Sequence, residues 1–352
     1  MEIERSSALR KGIPLLLLGL FVFLLYVYFF VGFADIMDTF LLADPVYYSL
    51  AFATFLLSTT FYSMTWWRLL HILSVKTNFR KPFLFTWVGA FVDLLIPAES
   101  VSGEVSRAYL MHRDSNEDSG KIVASVVSHR ILTTTTNLCG MIGASALFII
   151  RYEPPGLVVG FLLVIAICTT LSLFLLIYLC TREKATTRLV NWLIRLLKRI
   201  FKTRLKGTRL ASTAKRMLRE FHKGIDTFGK HPRKLVLPIV FSIMAWLFDI
   251  LIGFFVFSSL HVSVPFSTIV IVYSISMVVQ TIPIGIPGDI GLVEIVMTSL
   301  YTLLLQGVPG ITLTIIAVAT LLTRALTLWA KLIISGLVVQ WVGIKMLRGS
   351  PS

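Results

Sequence analysis

Ile282-Pro283-Ile284-Gly285-Ile286-Pro287-Gly288-Asp289-Ile290-Gly291 interrupts an apolar run that starts at Phe266 and resumes as far as Leu305. Proline removes an amide donor and glycine favours non-helical backbone, so no single helix passes through this stretch. A second interruption, Pro97-Ala98-Glu99-Ser100-Val101-Ser102-Gly103-Glu104-Val105-Ser106-Arg107, ends an apolar run from Pro82 to Ile96. The helical part of that run, roughly 14 residues, reaches only about 21 Å at ~1.5 Å per residue, against a hydrocarbon core of ~30 Å. Both stretches therefore read as re-entrant hairpins, over 82–110 and 266–306.

Between and around them the chain is built to cross a bilayer. Of 352 residues 56% are hydrophobic and 14% charged, with 25 phenylalanines, and the mean hydropathy is +0.84. This composition excludes a soluble globular domain, a disordered chain and a disulfide scaffold. Long apolar runs cover Ile13–Phe33, Val46–Leu73, Ile122–Ile150, Leu157–Cys180, Leu235–Leu260 and Ile311–Val342. The expectation is an all-α polytopic membrane protein with about six full spans plus two re-entrant hairpins. Its segments are a signal-anchor span over 1–45, a first membrane repeat over 46–180, a basic amphipathic stretch over 181–234 and a second repeat over 235–352. Cys139, Cys168 and Cys180 lie inside apolar runs and read as small packing residues rather than metal ligands or disulfide partners.

Charge sets the orientation. The net charge of +15 comes from 33 basic and 18 acidic residues, and 181–234 alone holds 17 basic against 3 acidic. The N-terminus, the linkers 68–81 and 107–121, the 181–234 stretch and the tail with Lys345 and Arg348 are basic, whereas 32–45 carries three aspartates and no base. Basic flanks favour the cytoplasm, so both termini are expected there, in the plasma membrane, with the first hairpin dipping from the cytoplasmic side and the second from outside. Ile96-Pro97, Gly103-Glu104 and Arg130-Ile131-Leu132-Thr133 then find counterparts in Ile282-Pro283, Gly288-Asp289 and Arg324-Ala325-Leu326-Thr327. A hairpin followed by an arginine-bearing span occurs twice, upside-down, as in inverted-repeat transporters whose site lies where broken helices of both halves meet.

Charges at membrane depth cost ~2.5 kcal/mol or more unless paired or hydrated. Those expected are Asp93, Arg130, Asp249, Asp289, Glu294 and Arg324, with Glu99, Glu104 and Arg107 nearer the cytoplasmic interface. A buried guanidinium grips a phosphate by two parallel hydrogen bonds, and broken helices offer free N–H groups to an anion at glycines such as Gly288. Glu104, Arg107, Arg130, Gly288, Asp289, Glu294 and Arg324 are accordingly the candidate substrate-binding set. The alternative is that Arg130 and Arg324 pair with Glu104 or with Asp289 and Glu294 and merely lock the hairpins. His129, deep in a span, reads as a hydrogen-bonded helix contact.

Between Thr186 and Leu205 an apolar stripe faces Arg195, Lys198, Arg199 and Lys202, the pattern of a helix lying on a leaflet and gathering anionic lipid. Alternation with apolar residues and flanking spans speak for a membrane surface and against nucleic acid as its partner. No His-Glu-x-x-His, Gly-x-Ser-x-Gly, phosphate loop or paired-cysteine motif occurs, so no catalytic residue, metal or cofactor is expected.

At Pro97, Gly103-Glu104, Arg107, Arg130, Pro287-Gly288, Gly291, Glu294 and Leu322-Thr323-Arg324-Ala325-Leu326-Thr327 the chain resembles the lysylphosphatidylglycerol synthase transmembrane-region family, over roughly residues 10–345. That family includes the flippase half of the bacterial multiple peptide resistance factor and the membrane half of some archaeal dolichol-phosphate glycosyltransferases. The resemblance implies translocation or presentation of an anionic phospholipid or a polyprenyl-phosphate-linked lipid. Two other readings accompany it: an intramembrane lipid- or glycolipid-modifying enzyme, or an accessory subunit of a separate transferase. A homo-oligomer fits either class. Where many relatives have Glu before the first span arginine and Asp three residues after it, this chain has His129 and Thr133.

Overall fold

The computed structural model describes residues 41, 43–96, 101–190, 192, 207–282 and 286–348. Among them the only regular structure is helical: α1 (Pro45–Ile72), α2 (Arg80–Leu95), α3 (Val101–Ser115), α4 (Ser119–Tyr152), α5 (Gly156–Thr181), α6 (Gly207–Lys230), α7 (Val236–Ser259), α8 (Phe266–Val279), α9 (Leu292–Leu304), α10 (Leu313–Arg324) and α11 (Lys331–Arg348). Short 3₁₀ turns at Pro232–Leu235 and Pro287–Asp289 lead into α7 and α9, and a π-helical segment, Ala325–Ala330, joins α10 to α11.

Five stretches among the described residues are long and apolar enough to cross a membrane: 119–152, 156–181, 232–259, 287–304 and 313–343. The chain is thus an all-α polytopic membrane protein. The expected first span, Ile13–Phe33, lies outside the described residues. The 28-residue α1 is long enough to cross but is not among the five. Ser58, Thr59, Thr60, Ser63 and Thr65 dilute its apolar character, and most of them return a hydrogen bond to a carbonyl one turn back.

The stretch 287–304, which the sequence assigns to a returning hairpin arm, does qualify by length. It is not one continuous helix: Gly288 (φ 63°), Asp289 (φ 53°) and Gly291 (φ 89°) interrupt it, leaving α9 with 13 residues. At ~1.5 Å per residue α9 reaches about 20 Å, short of a ~30 Å hydrocarbon core. The 14-residue α8, the 16-residue α2 and the 15-residue α3 are also too short. Within each pair, α2 with α3 and α8 with α9, the helices pack on each other, and α2 also meets the Pro287–Asp289 turn of the second pair and packs on α11.

The longest contact in the bundle is between α1 and α7, which run antiparallel. The Asp44 amide donates to the Ser259 carbonyl at one end (2.8 Å), the Ser58 hydroxyl donates to the Asp249 carboxylate midway (2.5 Å), and Phe61 stacks on Phe248 (5.5 Å). Asp44 also caps α1 by accepting from the Val46 amide, with Pro45 preset in the first turn.

One apolar core joins α1, α4 and α7–α10, with Ile250, Ile271, Val272, Val318 and Leu322 at or near zero exposure. A second lies where α6 crosses α4, around Leu69, Leu70, Met111, Ile122 and Phe221. By contrast α5 turns Leu157, Leu163, Ile167, Leu171 and Phe174 outward, each more than half exposed, as a helix at the lipid boundary does.

Candidate functional site

The first pair is closed by a carboxylate. Asp93, near the end of α2, accepts from the Gly103 amide (2.6 Å) and the Ser102 hydroxyl (2.8 Å), so the free donors of α3's first turn are satisfied from across the break. The backbones touch where they cross: a Cβ on Gly89 would lie 2.9 Å from the Gly103 carbonyl, and one on Gly103 would strike both the Asp93 carboxylate and the Gly89 carbonyl.

One turn into α3, Glu104 faces two cations. Its Oε1 stands 3.9 Å from Arg107 Nη2 and 3.8 Å from Arg130 Nη1, both beyond hydrogen-bond reach. The Arg107 side chain is only 4% exposed. It lies over the rings of Trp66 (5.0 Å) and Tyr62 (5.7 Å) of α1, and its Nη1 is 3.1 Å from Nδ1 of fully buried His129. That contact needs the proton off Nδ1, so His129 accepts here. Arg107 Nε and Nη2 have no hydrogen-bond partner among the described residues. Arg130 remains 28% exposed, with Glu104 as its ion-pair neighbour. Two guanidinium groups thus share one carboxylate at arm's length.

The second pair is wired tightly. Glu294, in α9's first turn, accepts from the Gly291 amide through Oε2 (2.8 Å) and from Arg324 Nε through Oε1 (2.7 Å). Arg324 Nη2 donates to the Gly288 carbonyl (2.8 Å), and both charged side chains are 5% exposed. Gly288 is held in the left-handed region, where a Cβ would lie 2.9 Å from Leu328 and 3.6 Å from Leu94 of α2. The tip of the second pair therefore sits against the end of α2, beside the break of the first. Asp289 is buried at this tip.

The structure gathers Glu104, Arg107 and Arg130 into one cluster and Gly288, Glu294 and Arg324 into another. Arg195, Lys198, Arg199 and Lys202 lie outside the described residues. The aromatic bracket of Trp66 and Tyr62 and the His129 contact were not foreseen as parts of the site. Nor was Lys331, which follows the π-helical segment and interacts electrostatically with Asp249, Asp93 and Arg324. A lysine inside the apolar run 311–342 was available to the same membrane-depth reasoning that singled out Arg324. Around Asp249, the Ser58 and Tyr273 hydroxyls complete a polar centre between α1, α7 and α8.

Paired short helices inside a polytopic helical bundle, with buried arginines at their tips, define an integral membrane protein of the broken-helix kind. The chain belongs to the family described as the lysylphosphatidylglycerol synthase TM region, which it matches over residues 16–335. It is similar to a UPF0104 membrane protein of Methanothermobacter thermautotrophicus, 23% identical over 320 residues and covering 91% of this chain and 92% of the relative. Comparable likeness extends to UPF0104 membrane proteins of Pyrococcus horikoshii (24% identical; 84% and 87% covered) and Methanocaldococcus jannaschii (26%; 80% and 82%).

Proposed function

We propose that this chain moves an anionic lipid headgroup across the bilayer, or holds it for a partner, without changing it covalently. The headgroup belongs to an anionic phospholipid or a polyprenyl-phosphate-linked lipid, and Arg107 and Arg130 grip its phosphate. One observation carries this reading: Arg107 and Arg130 share the Glu104 carboxylate only at 3.9 and 3.8 Å, leaving, among the described residues, a surplus of guanidinium donors on Arg107 without hydrogen-bond partners. A buried cation without a close partner is costly, and a phosphate oxygen offers the short, charge-assisted bonds that Glu104 does not make. Arg324 has no such surplus, because Glu294 and the Gly288 carbonyl occupy it, so its role is to hold the second hairpin shut.

The inverted-repeat reading supplies the path. Hairpins that enter from opposite faces and meet near the middle let a headgroup pass from one to the other as the two halves rock. The linkers after α1 and before α7 lie at one end of the bundle, and their basic character favours a cytoplasmic side for that end, in keeping with cytoplasmic termini and a plasma-membrane location. Membership of a family described by a lipid synthase's membrane region agrees with a lipid substrate.

Purified protein in vesicles carrying headgroup-labelled phosphatidylglycerol tests the reading. Label crossing to the opposite leaflet, with the lipid recovered unchanged and crossing lost in Arg130→Gln, is the expected result. Recovery of a modified lipid favours the enzyme reading, and no crossing of any anionic lipid removes the proposal.

A further inference from the structure

A cavity lined by basic residues lies at the far end of the α1–α7 pair. There α1 finishes and the Pro232–Leu235 turn begins α7, and the cavity, of about 360 Å³, opens between them. Arg68 and His71 line it from α1, and Arg233 and Lys234 from the turn. None of these four makes an ion pair among the described residues. Two anchors hold the α1 side in place: Arg68 stacks over the Trp67 ring at 5.5 Å, and the Trp67 indole donates to the Thr77 carbonyl (3.1 Å).

The remaining wall is apolar. Val236 and Val240, one helical turn apart on α7, are 60% and 43% exposed, and Leu237 lies beside them. These residues open one of the membrane-crossing stretches, so the cations sit at its charged edge and the valines just inside the hydrocarbon. An anionic head with acyl chains below it matches both halves of this cavity, whereas a free anion would use only the upper half. Arg68 follows Trp66 by two residues, about 200° around a helix of ~3.6 residues per turn, so this cavity lies on the opposite side of α1 from the Trp66–Arg107 contact.

We infer that the cavity binds the headgroup of an anionic phospholipid that is not transported but bridges α1 to α7. Mobile surface charges attract such lipids diffusely; three cations without ion-pair partners among the described residues, together with His71, converge on one cavity from two elements and hold a single headgroup.

The test uses the full chain in phosphatidylcholine nanodiscs, with melting temperature followed as phosphatidylglycerol is added. Phosphatidylglycerol should raise the melting temperature of the native chain, while inorganic phosphate at matched charge should not. In Arg68→Gln/Arg233→Gln/Lys234→Gln, removing three cations worth roughly fivefold each should demand about a hundredfold more phosphatidylglycerol for the same shift. In an Arg130→Gln background, which weakens the transport site, phosphatidylglycerol should still raise the melting temperature and the same cavity substitutions should still raise the lipid demand, which separates this site from the transport site. If the triple variant does not fold, Lys234→Gln alone serves, with a roughly fivefold rise expected. A native-like response in the variant that folds overturns the inference. So does an equal shift with inorganic phosphate, or loss of the response in Arg130→Gln.

Discussion

Arg324 Nε lies 2.7 Å from Glu294 Oε1, and this buried pair fastens the second hairpin to the span that follows it. The corresponding arginine of the first half, Arg130, comes no nearer than 3.8 Å to Glu104. A repeated motif therefore carries two electrostatic states, one saturated and, among the described residues, one short of acceptors.

Breaking the saturated pair should unfold. Arg324→Gln leaves buried Glu294 charged with only the Gly291 amide as a partner, at a cost of about 3–5 kcal/mol. Thermal unfolding in detergent should show a clear fall in melting temperature and yield, whereas Arg130→Gln should melt near the native temperature and yet stop lipid movement. Equal melting losses in both variants would remove the distinction between the two halves.

Arg107 should tolerate lysine poorly. Lysine keeps the charge but lacks the planar fork that lies over Trp66 and Tyr62 and reaches His129, so headgroup affinity should fall about tenfold or more. Binding of phosphatidylglycerol by native and Arg107→Lys protein measures this, and Arg107→Lys with undiminished affinity contradicts the site.

Gly103→Ala should spring the first hairpin. The new methyl meets the Asp93 carboxylate and the Gly89 backbone, and overpacking against backbone costs about 1–3 kcal/mol. A lower melting temperature is expected, with Asp93 losing its bond to the Gly103 amide. Ala at Gly143, where a Cβ meets nothing within 4 Å, is the control and should be neutral.

Opposite-sided hairpins can be read by chemistry. With Cys139, Cys168 and Cys180 replaced, Val101→Cys and Ile282→Cys place thiols on exposed positions beside each break. Impermeant maleimide should reach them from opposite faces of sealed vesicles. Same-side labelling of both positions would falsify the inverted repeat.

The breaks were legible in sequence because proline and glycine act locally: α2 ends at Leu95 and α8 at Val279, just before the proline-bearing stretches, and Gly288 takes a left-handed φ, although Gly103 lies inside α3. The Glu294–Arg324 pair was legible as an option, since buried charges seek partners. Which arginine would be saturated was not, because that depends on rotamers and on distances of 2.7 against 3.8 Å. Arg107 is bracketed by Trp66 and Tyr62 on one helix and His129 on another, and a local pattern cannot reveal such a three-helix contact. The length of α1 was legible as the apolar run Val46–Leu73, but that its hydroxyls fold back on their own carbonyls was not.

The 34 residues of α4 form a rod of about 51 Å at ~1.5 Å per residue, well beyond a ~30 Å hydrocarbon slab. Its overhang is gripped by α6, whose Met217 carbonyl and Phe221 amide press against Gly120 so closely that no side chain fits between them. Arg130 stands on the same unbroken rod, about 15 Å along from that grip. Because α4 is continuous from Gly120 to Arg130, a displacement at the α6 clamp would reach the guanidinium along one helix, with no break in between to absorb it.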